Sequence, residues 1–174
     1  MKIGSERLII RSVEKGDEAV FAKMAGDGSL SEVGFDENCS EWIDDWINEA
    51  LELTERDDPR VDYIPCTIVL KENSEVIGSV GCTYYEDTKN IGICYFVGAE
   101  YRRKGYTTEA VKAYVDFFFN HYNENDIIAT ILASNVPSVK TAESAGFRLL
   151  ETKMYKDIYD DEEQLYHFYE CSCK

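Results

Sequence analysis

Residues 93–122 read ICYFVGAEYRRKGYTTEAVKAYVDFFFNHY. An apolar, strand-like run leads into a short basic loop, Arg102-Arg103-Lys104-Gly105-Tyr106-Thr107-Thr108, and the loop opens a long amphipathic helix. The first turn of a helix has backbone N–H groups with no intrahelical partner and carries a partial positive charge. The two together make an anion site, for which phosphate is the usual guest. Gly105 lets the backbone turn and approach a ligand closely. Arg102, Arg103 and Lys104 add full positive charges, although the whole chain has 34 acidic against 18 basic residues and a net charge of -16. This local inversion of charge is the most informative feature of the sequence.

Outward from this stretch, the periodicity predicts the rest of the chain. The helix after the loop has an inward stripe of Val111, Tyr114, Val115, Phe118 and Tyr122. Before it, Tyr63 to Leu70, Val76 to Tyr85 and Ile91 to Val97 read as three strands joined by short polar turns, an antiparallel meander. Pro65 suggests that the first of these starts late or lies at an edge. Residues 7–13 form an opening strand, and Asp17 to Ala25 form a helix. Residues 26–39 form a loop broken by Gly26, Gly28 and Gly34. Ser40 suits the N-cap of a second helix with its stripe at Ile43, Trp46, Ile47, Ala50 and Leu51. The many carboxylates around that helix read as a solvated face. After the long helix come a strand at Ile127–Ala133 and a helix opened by Asn135-Val136-Pro137-Ser138 and closed by Gly146. The last strand pair, Phe147–Met154 and Gln164–Cys171, is joined by the acidic segment Asp160–Glu163. The expectation is a single α+β domain over residues 1–174, with a mixed, mostly antiparallel sheet flanked by helices.

Composition narrows the function. Hydrophobic residues make up 44% of the 174 residues, enough for a core. The acidic balance argues against nucleic acid and against an anionic membrane as partners, and suggests a cationic acceptor. The six cysteines form no CxxC pair, and no metal site is expected. Neither a signal-peptide pattern nor an apolar run of membrane-spanning length is present, so a cytoplasmic protein is expected. The loop is not a nucleotide-binding P-loop, because Gly-Lys-Ser/Thr is absent.

At this point the residues carry a resemblance. Arg102-Arg103-Lys104-Gly105-Tyr106-Thr107 is similar to the Q/R-x-x-G-x-G/A acetyl-CoA motif of the GNAT N-acetyltransferases, with Thr107 in place of the final Gly/Ala. The phrase from Gly98 to Ala110 resembles the RimJ/RimL-like branch. So do Ser5-Glu6-Arg7-Leu8-Ile9-Ile10-Arg11, Val76-Ile77-Gly78, and Asn135-x-x-Ser138 followed by Gly146-Phe147, in that branch's order. The resemblance implies a GNAT-like fold and an acetyl-CoA-dependent transfer to a primary amine, on a protein N-terminus or a small molecule. A possible homodimer is left open.

The resemblance also implies site residues. The strand at Ile91–Val97 is expected to bulge and to splay from Ile127–Ala133, with pantetheine pairing against the backbone around Tyr95, Phe96 and Val97. The pyrophosphate is expected on N–H groups from Arg103 to Thr108, through Lys104, Gly105, Tyr106 and Thr107. The Thr108 hydroxyl and the charge of Arg102 or Arg103 would assist. Ser138 resembles the residue that supports the departing thiolate, and Asn135 the one that holds pantetheine or a water. Asn135 equally suits an N-cap, and Ser138 a first-turn polar position. Tyr95 is a candidate proton donor or a crevice wall. Gly92 stands where many relatives carry a Glu base, so the usual base is missing or is supplied from elsewhere, with Glu86, Asp87, Glu32 and Asp36 as candidates. The alternative is an acyl-CoA-binding regulatory module that has lost catalysis.

Overall fold

The computed structural model describes residues 1–36, 38–157 and 160–173, apart from the side chain of Glu32. The strands are β1 (Lys2–Gly4), β2 (Leu8–Ser12), β3 (Ile64–Leu70), β4 (Val76–Tyr85), β5 (Asn90–Val97), β6 (Asp126–Leu132), β7 (Arg148–Tyr155) and β8 (Gln164–Ser172). The helices are α1 (Asp17–Ala25), α2 (Ile43–Arg56), α3 (Tyr106–Tyr122) and α4 (Val136–Ala145). All strands join one sheet in the order β1-β2-β3-β4-β5-β6-β8-β7. Every neighbouring pair is antiparallel except β5 and β6. Among the described residues no helix is long and apolar enough to cross a membrane.

Period-2 alternation divides the sheet into two faces. Ile68, Val80, Ile93 and Ile127 point to one face and pack with Tyr114 and Phe118 of α3 and Ala142 of α4. Phe96 points to the other, where Phe21 of α1, Ile47 of α2 and Phe35 of the connecting loop form a second core. The ring centroids of Phe35 and Phe96 are 4.9 Å apart, and those of Phe21 and Phe96 are 6.0 Å apart. The stripe expected on α3 is the one it buries, with Ala110 added and Tyr122 only partly covered.

Several local expectations need correction. Lys2–Gly4 forms an edge strand that pairs with Ile9–Arg11; three residues are too few to show alternation in sequence. Ser40 does not cap α2. It sits inside a 3-10 turn, Cys39–Glu41, whose carbonyls already receive the Trp42 N–H, and the helix starts directly from Trp42. The strand carrying Pro65 does start late, at Ile64, but it is interior rather than an edge. The ladder with β2 ends at Cys66, so Pro65 lies one residue past it, where a missing donor costs little. The bulge expected in β5 is absent from its ladder with β4, which keeps one register from Gly78↔Val97 to Tyr85↔Asn90.

One buried ion pair ties the start of α1 to the sheet. Asp17 is 5% exposed and accepts from both terminal guanidinium nitrogens of Arg11 at 2.8 Å. It also accepts from the Thr67 hydroxyl at 2.8 Å and the Glu14 N–H at 3.0 Å. Burial alone would raise the carboxyl's pKa, but the bonds from Arg11, Thr67 and Glu14 outweigh it and hold it low. A carboxylate depressed in the folded state stabilises above its unfolded pKa of about 3.9, and that contribution is lost as pH falls through the folded value. Asp17→Ala leaves the half-buried Arg11 with only the Ser12 carbonyl at 3.0 Å and Glu14 at 3.7 Å, and is expected to cost about 2–3 kcal/mol in urea unfolding at pH 7. The deficit against the parent protein should shrink as the pH is lowered below about 4.

Candidate active site

The site begins where β5 and β6 part. Their parallel ladder has a single register pair, Gly92↔Ile128. Beyond it, β5 has no ladder partner on that side among the described residues, and the two strands form the two arms of a V. Gly98 and a 3-10 turn at Ala99–Tyr101 then lead into the basic loop and α3.

The loop has the geometry of an anion cradle. Arg103 and Gly105 both adopt positive φ, 60° and 80°, which curls the backbone before the helix. The N–H groups of the six residues Arg103 to Thr108 donate to no protein acceptor among the described residues, and the first N–H to be taken up is that of Glu109, by Gly105. Arg7 holds this loop in place. Its guanidinium donates to the Lys104 carbonyl at 2.9 Å and to Glu109 at 2.7 Å, and lies 4.5 Å from the Tyr106 ring centroid. Glu109 also accepts from the Arg7 N–H at 2.6 Å and the Ser5 hydroxyl at 2.8 Å. Burial would raise the Glu109 carboxyl's pKa, but these donors hold it below the usual range.

The basic side chains divide. Arg102 turns away from the cradle: it donates to the Ser29 carbonyl at 2.7 Å and to the Val97 carbonyl at 3.4 Å, joining the loop after α1 to the end of β5. Lys104 lies 5.6 Å from the Tyr101 ring centroid. Arg103 is exposed and makes no ion pair among the described residues. Tyr106, Thr107 and Thr108 are half-buried in the first turn of α3, as the cradle requires.

The other arm supplies the first turn of α4. The Asn135 side chain accepts the Ser138 N–H at 3.2 Å, so Asn135 is the N-cap of that helix. Tyr95 donates its hydroxyl to the Ser138 carbonyl at 3.0 Å, and burial raises its pKa well above the ordinary tyrosine range. It is a strut between β5 and α4 rather than a ready proton donor. The Ser138 hydroxyl has no protein partner among the described residues and lines the cleft.

This cleft of about 700 Å³ runs from Asn135 and Ser138, past Cys94 and Phe96, to Trp42 and Trp46. Tyr85 explains Gly92. A Cβ at Gly92 would lie 2.2 Å from the Tyr85 ring, so a ring from β4 fills the room a side chain on β5 would need. Glu86 is paired with Lys89, Asp87 accepts from the Thr88 N–H and Asp36 from the Asn38 N–H, and none of the three lines the cleft. The side chain of Glu32 lies outside the described residues. Among the described residues, the carboxylates that do line it are Glu49, Asp62, Asp157 and Asp160. Sequence reasoning passed over all four: Glu49 read as part of a solvated face, and the others sit in connections without a motif. Asp157 is near enough to Tyr85 and Cys94 to help burial raise both pKa values, the thiol to about 12. Asp160 is held low, against the effect of burial, by bonds from Tyr166, the Asp157 N–H and Gln164. Tyr166 thus faces the cleft, whereas His167 points to the opposite face and meets Thr152 at 2.8 Å.

Residues 7–148 match the family model described as an acetyltransferase (GNAT) domain. The chain belongs to the GNAT acetyltransferase family. Over 83 residues, 47% of each chain, it is 34% identical to an uncharacterized N-acetyltransferase, p20, of Bacillus licheniformis. Its fold is shared with a GNAT-family acetyltransferase from Bacillus anthracis (TM-score 0.81, 22% identity, 99% and 98% of the two chains). It is shared also with RimL, a ribosomal L7/L12 α-N-protein acetyltransferase solved in complex with coenzyme A (TM-score 0.79, 12% identity, 99% and 98%). The expectation of a GNAT-like fold is therefore met, including the splay.

Because Tyr85 occupies the space over Gly92, Gly92→Glu should not install a base. Gly92→Ala is expected to cost about 1–3 kcal/mol by overpacking. Gly92→Ala combined with Tyr85→Ala should cost less than the sum of the two single variants. A double-mutant cycle in urea checks this, and additive costs would show that the ring and the glycine are independent.

Proposed function

We propose that the protein is an acetyl-CoA-dependent N-acetyltransferase that passes the acetyl group directly to a primary amine while both substrates are bound. The observation that supports this most is the row of unpaired N–H groups from Arg103 to Thr108, opening beside the gap between β5 and β6. The residues suit the co-substrate's shape. The row offers donors to a diphosphate, the free edge of β5 offers backbone partners to an extended pantetheine, and the Ser138 hydroxyl stands on the α4 arm of the V.

The reaction forms a C–N bond and breaks the thioester C–S bond. An alkylammonium with a pKa near ~10 must first lose a proton. The neutral nitrogen then attacks the carbonyl carbon, the C–S pair leaves as thiolate, and the second proton on nitrogen passes through water to the thiolate, which leaves as the thiol. Asp157 is the cleft carboxylate whose charge reaches the Tyr85–Cys94 region beside Gly92, and we assign it, directly or through water, as the proton acceptor. Ser138 is assigned to donate a hydrogen bond to the thiolate. Tyr95 and Asn135 hold Ser138 in position by fixing its carbonyl and its N–H. Arg7 keeps the cradle in shape through the Lys104 carbonyl and Glu109. Gly92 leaves a second reading, a module that binds the thioester without turning it over, and measured CoA release distinguishes the two.

Calorimetric titration with acetyl-CoA tests the first step: saturable binding is expected, and its absence in folded protein would overturn the proposal. A side chain at Gly105 is strained at φ 80°, so Gly105→Val should weaken binding at least about tenfold while circular dichroism is unchanged. Asp157→Asn should lower kcat/KM by about 100-fold or more near neutral pH with acetyl-CoA affinity retained. Ser138→Ala should act mainly on kcat.

A further inference from the structure

The lining of the cleft has a chemistry of its own. Glu49 comes from α2, Asp62 from the segment before β3, and Asp157 and Asp160 from the connection between β7 and β8. No Lys, Arg or His is among its described lining residues. Its wall is aromatic: the ring of Phe35 lies 5.3 Å from that of Trp42 and 5.2 Å from that of Trp46, and Trp46 lies 6.3 Å from Tyr63. Both tryptophans are half-buried and line the cavity. Ring faces attract a cation and cover an alkyl stem, and carboxylates on separate elements provide charge at more than one point.

For a monoamine this arrangement is self-defeating. The reacting nitrogen must be neutral when it attacks, yet four carboxylates favour its protonated form. A second positive charge on the acceptor resolves the conflict. It occupies part of the acidic lining permanently, and as a like charge on the same molecule it lowers the pKa of the reacting nitrogen. A peptide N-terminus is a poorer fit, since it brings one charge and sets its carbonyl oxygens against carboxylates and ring faces.

We infer that the acceptor is a small amine with at least two positive charges, a diamine or polyamine. One nitrogen reaches the thioester near Cys94 and Ser138, while another ammonium rests against Glu49, Asp62 and the aromatic wall. This inference rests on the acetyl-transfer reading above and adds the substrate class to it.

The test is a matched panel of 1-aminobutane, 1,4-diaminobutane, spermidine and short peptides with N-terminal serine or alanine, read as CoA release. From the monoamine to spermidine, kcat/KM should rise by about 100-fold or more, and the advantage should shrink as salt is raised. Glu49→Gln combined with Asp62→Asn should reduce the spermidine-to-monoamine ratio at least about tenfold, chiefly through KM. Equal use of monoamine and diamine, preference for the peptides, or an unchanged ratio in the double variant would each overturn the inference. Acetyl-CoA titration on the same protein separates the two levels. If acetyl-CoA does not bind, both readings fail. If it binds and no amine is turned over, spermidine and 1-aminobutane are titrated into CoA-loaded protein. Tighter binding of spermidine then supports the acceptor class, and equal binding overturns it.

Discussion

The structure depends on the point at which β5 and β6 stop pairing. A parallel pair in the middle of a sheet would ordinarily continue, because each unmade ladder bond leaves a donor and an acceptor without a partner. Here the pairing is reduced to Gly92↔Ile128. The two halves of the sheet are held together from outside the gap instead. Tyr95 reaches from β5 to the Ser138 carbonyl on α4, and α3 packs across the apolar face. The result is a backbone edge left open at the centre of the sheet, with the N-terminus of α3 following the end of β5.

That constraint explains why residues far from the gap matter. The cradle is not maintained by its own sequence alone. Arg103 and Gly105 supply the curl, but the curl is anchored by Arg7, which is nearly a hundred positions earlier in the chain and reaches both the Lys104 carbonyl and Glu109. On the other side, Arg102 joins the end of β5 to the Ser29 carbonyl, so the loop that carries Phe35 toward the cleft is tied to the start of the basic loop. The N-terminal segment and the loop after α1 are therefore parts of the site's framework.

The strands and helices were legible because their signals are local. Alternation in β4 and β5, the stripe of α3, and the Asn135–Gly146 bracket of α4 each fit within a few residues of chain, and the basic loop is a continuous motif. What was not legible depends on contacts between distant residues. Arg102 carried the expected charge but turns to Ser29, a direction no spacing encodes. Tyr95 reads as a candidate acid until its hydroxyl is found on the Ser138 carbonyl. Glu49 looks like one more carboxylate on a solvated helix, and it is exposed, but only the fold shows that it lines the same cleft as Asp157 and Asp160. Gly92 shows in sequence that a base is missing, but only the fold shows that Tyr85 has taken its space.

Tyr85 and the acidic lining belong to one electrostatic problem. A carboxylate at position 92 of β5 would put a negative charge where the pairing of β5 with β6 ends. In this protein the position is apolar, and the negative charge is moved outward to Asp157, Asp160, Glu49 and Asp62. Burial raises the pKa of Tyr85, Tyr95 and Cys94 alike, so the centre of the cleft favours neutral forms while its surroundings favour cations. Such a gradient suits an acceptor that is charged at one end and must be uncharged at the other.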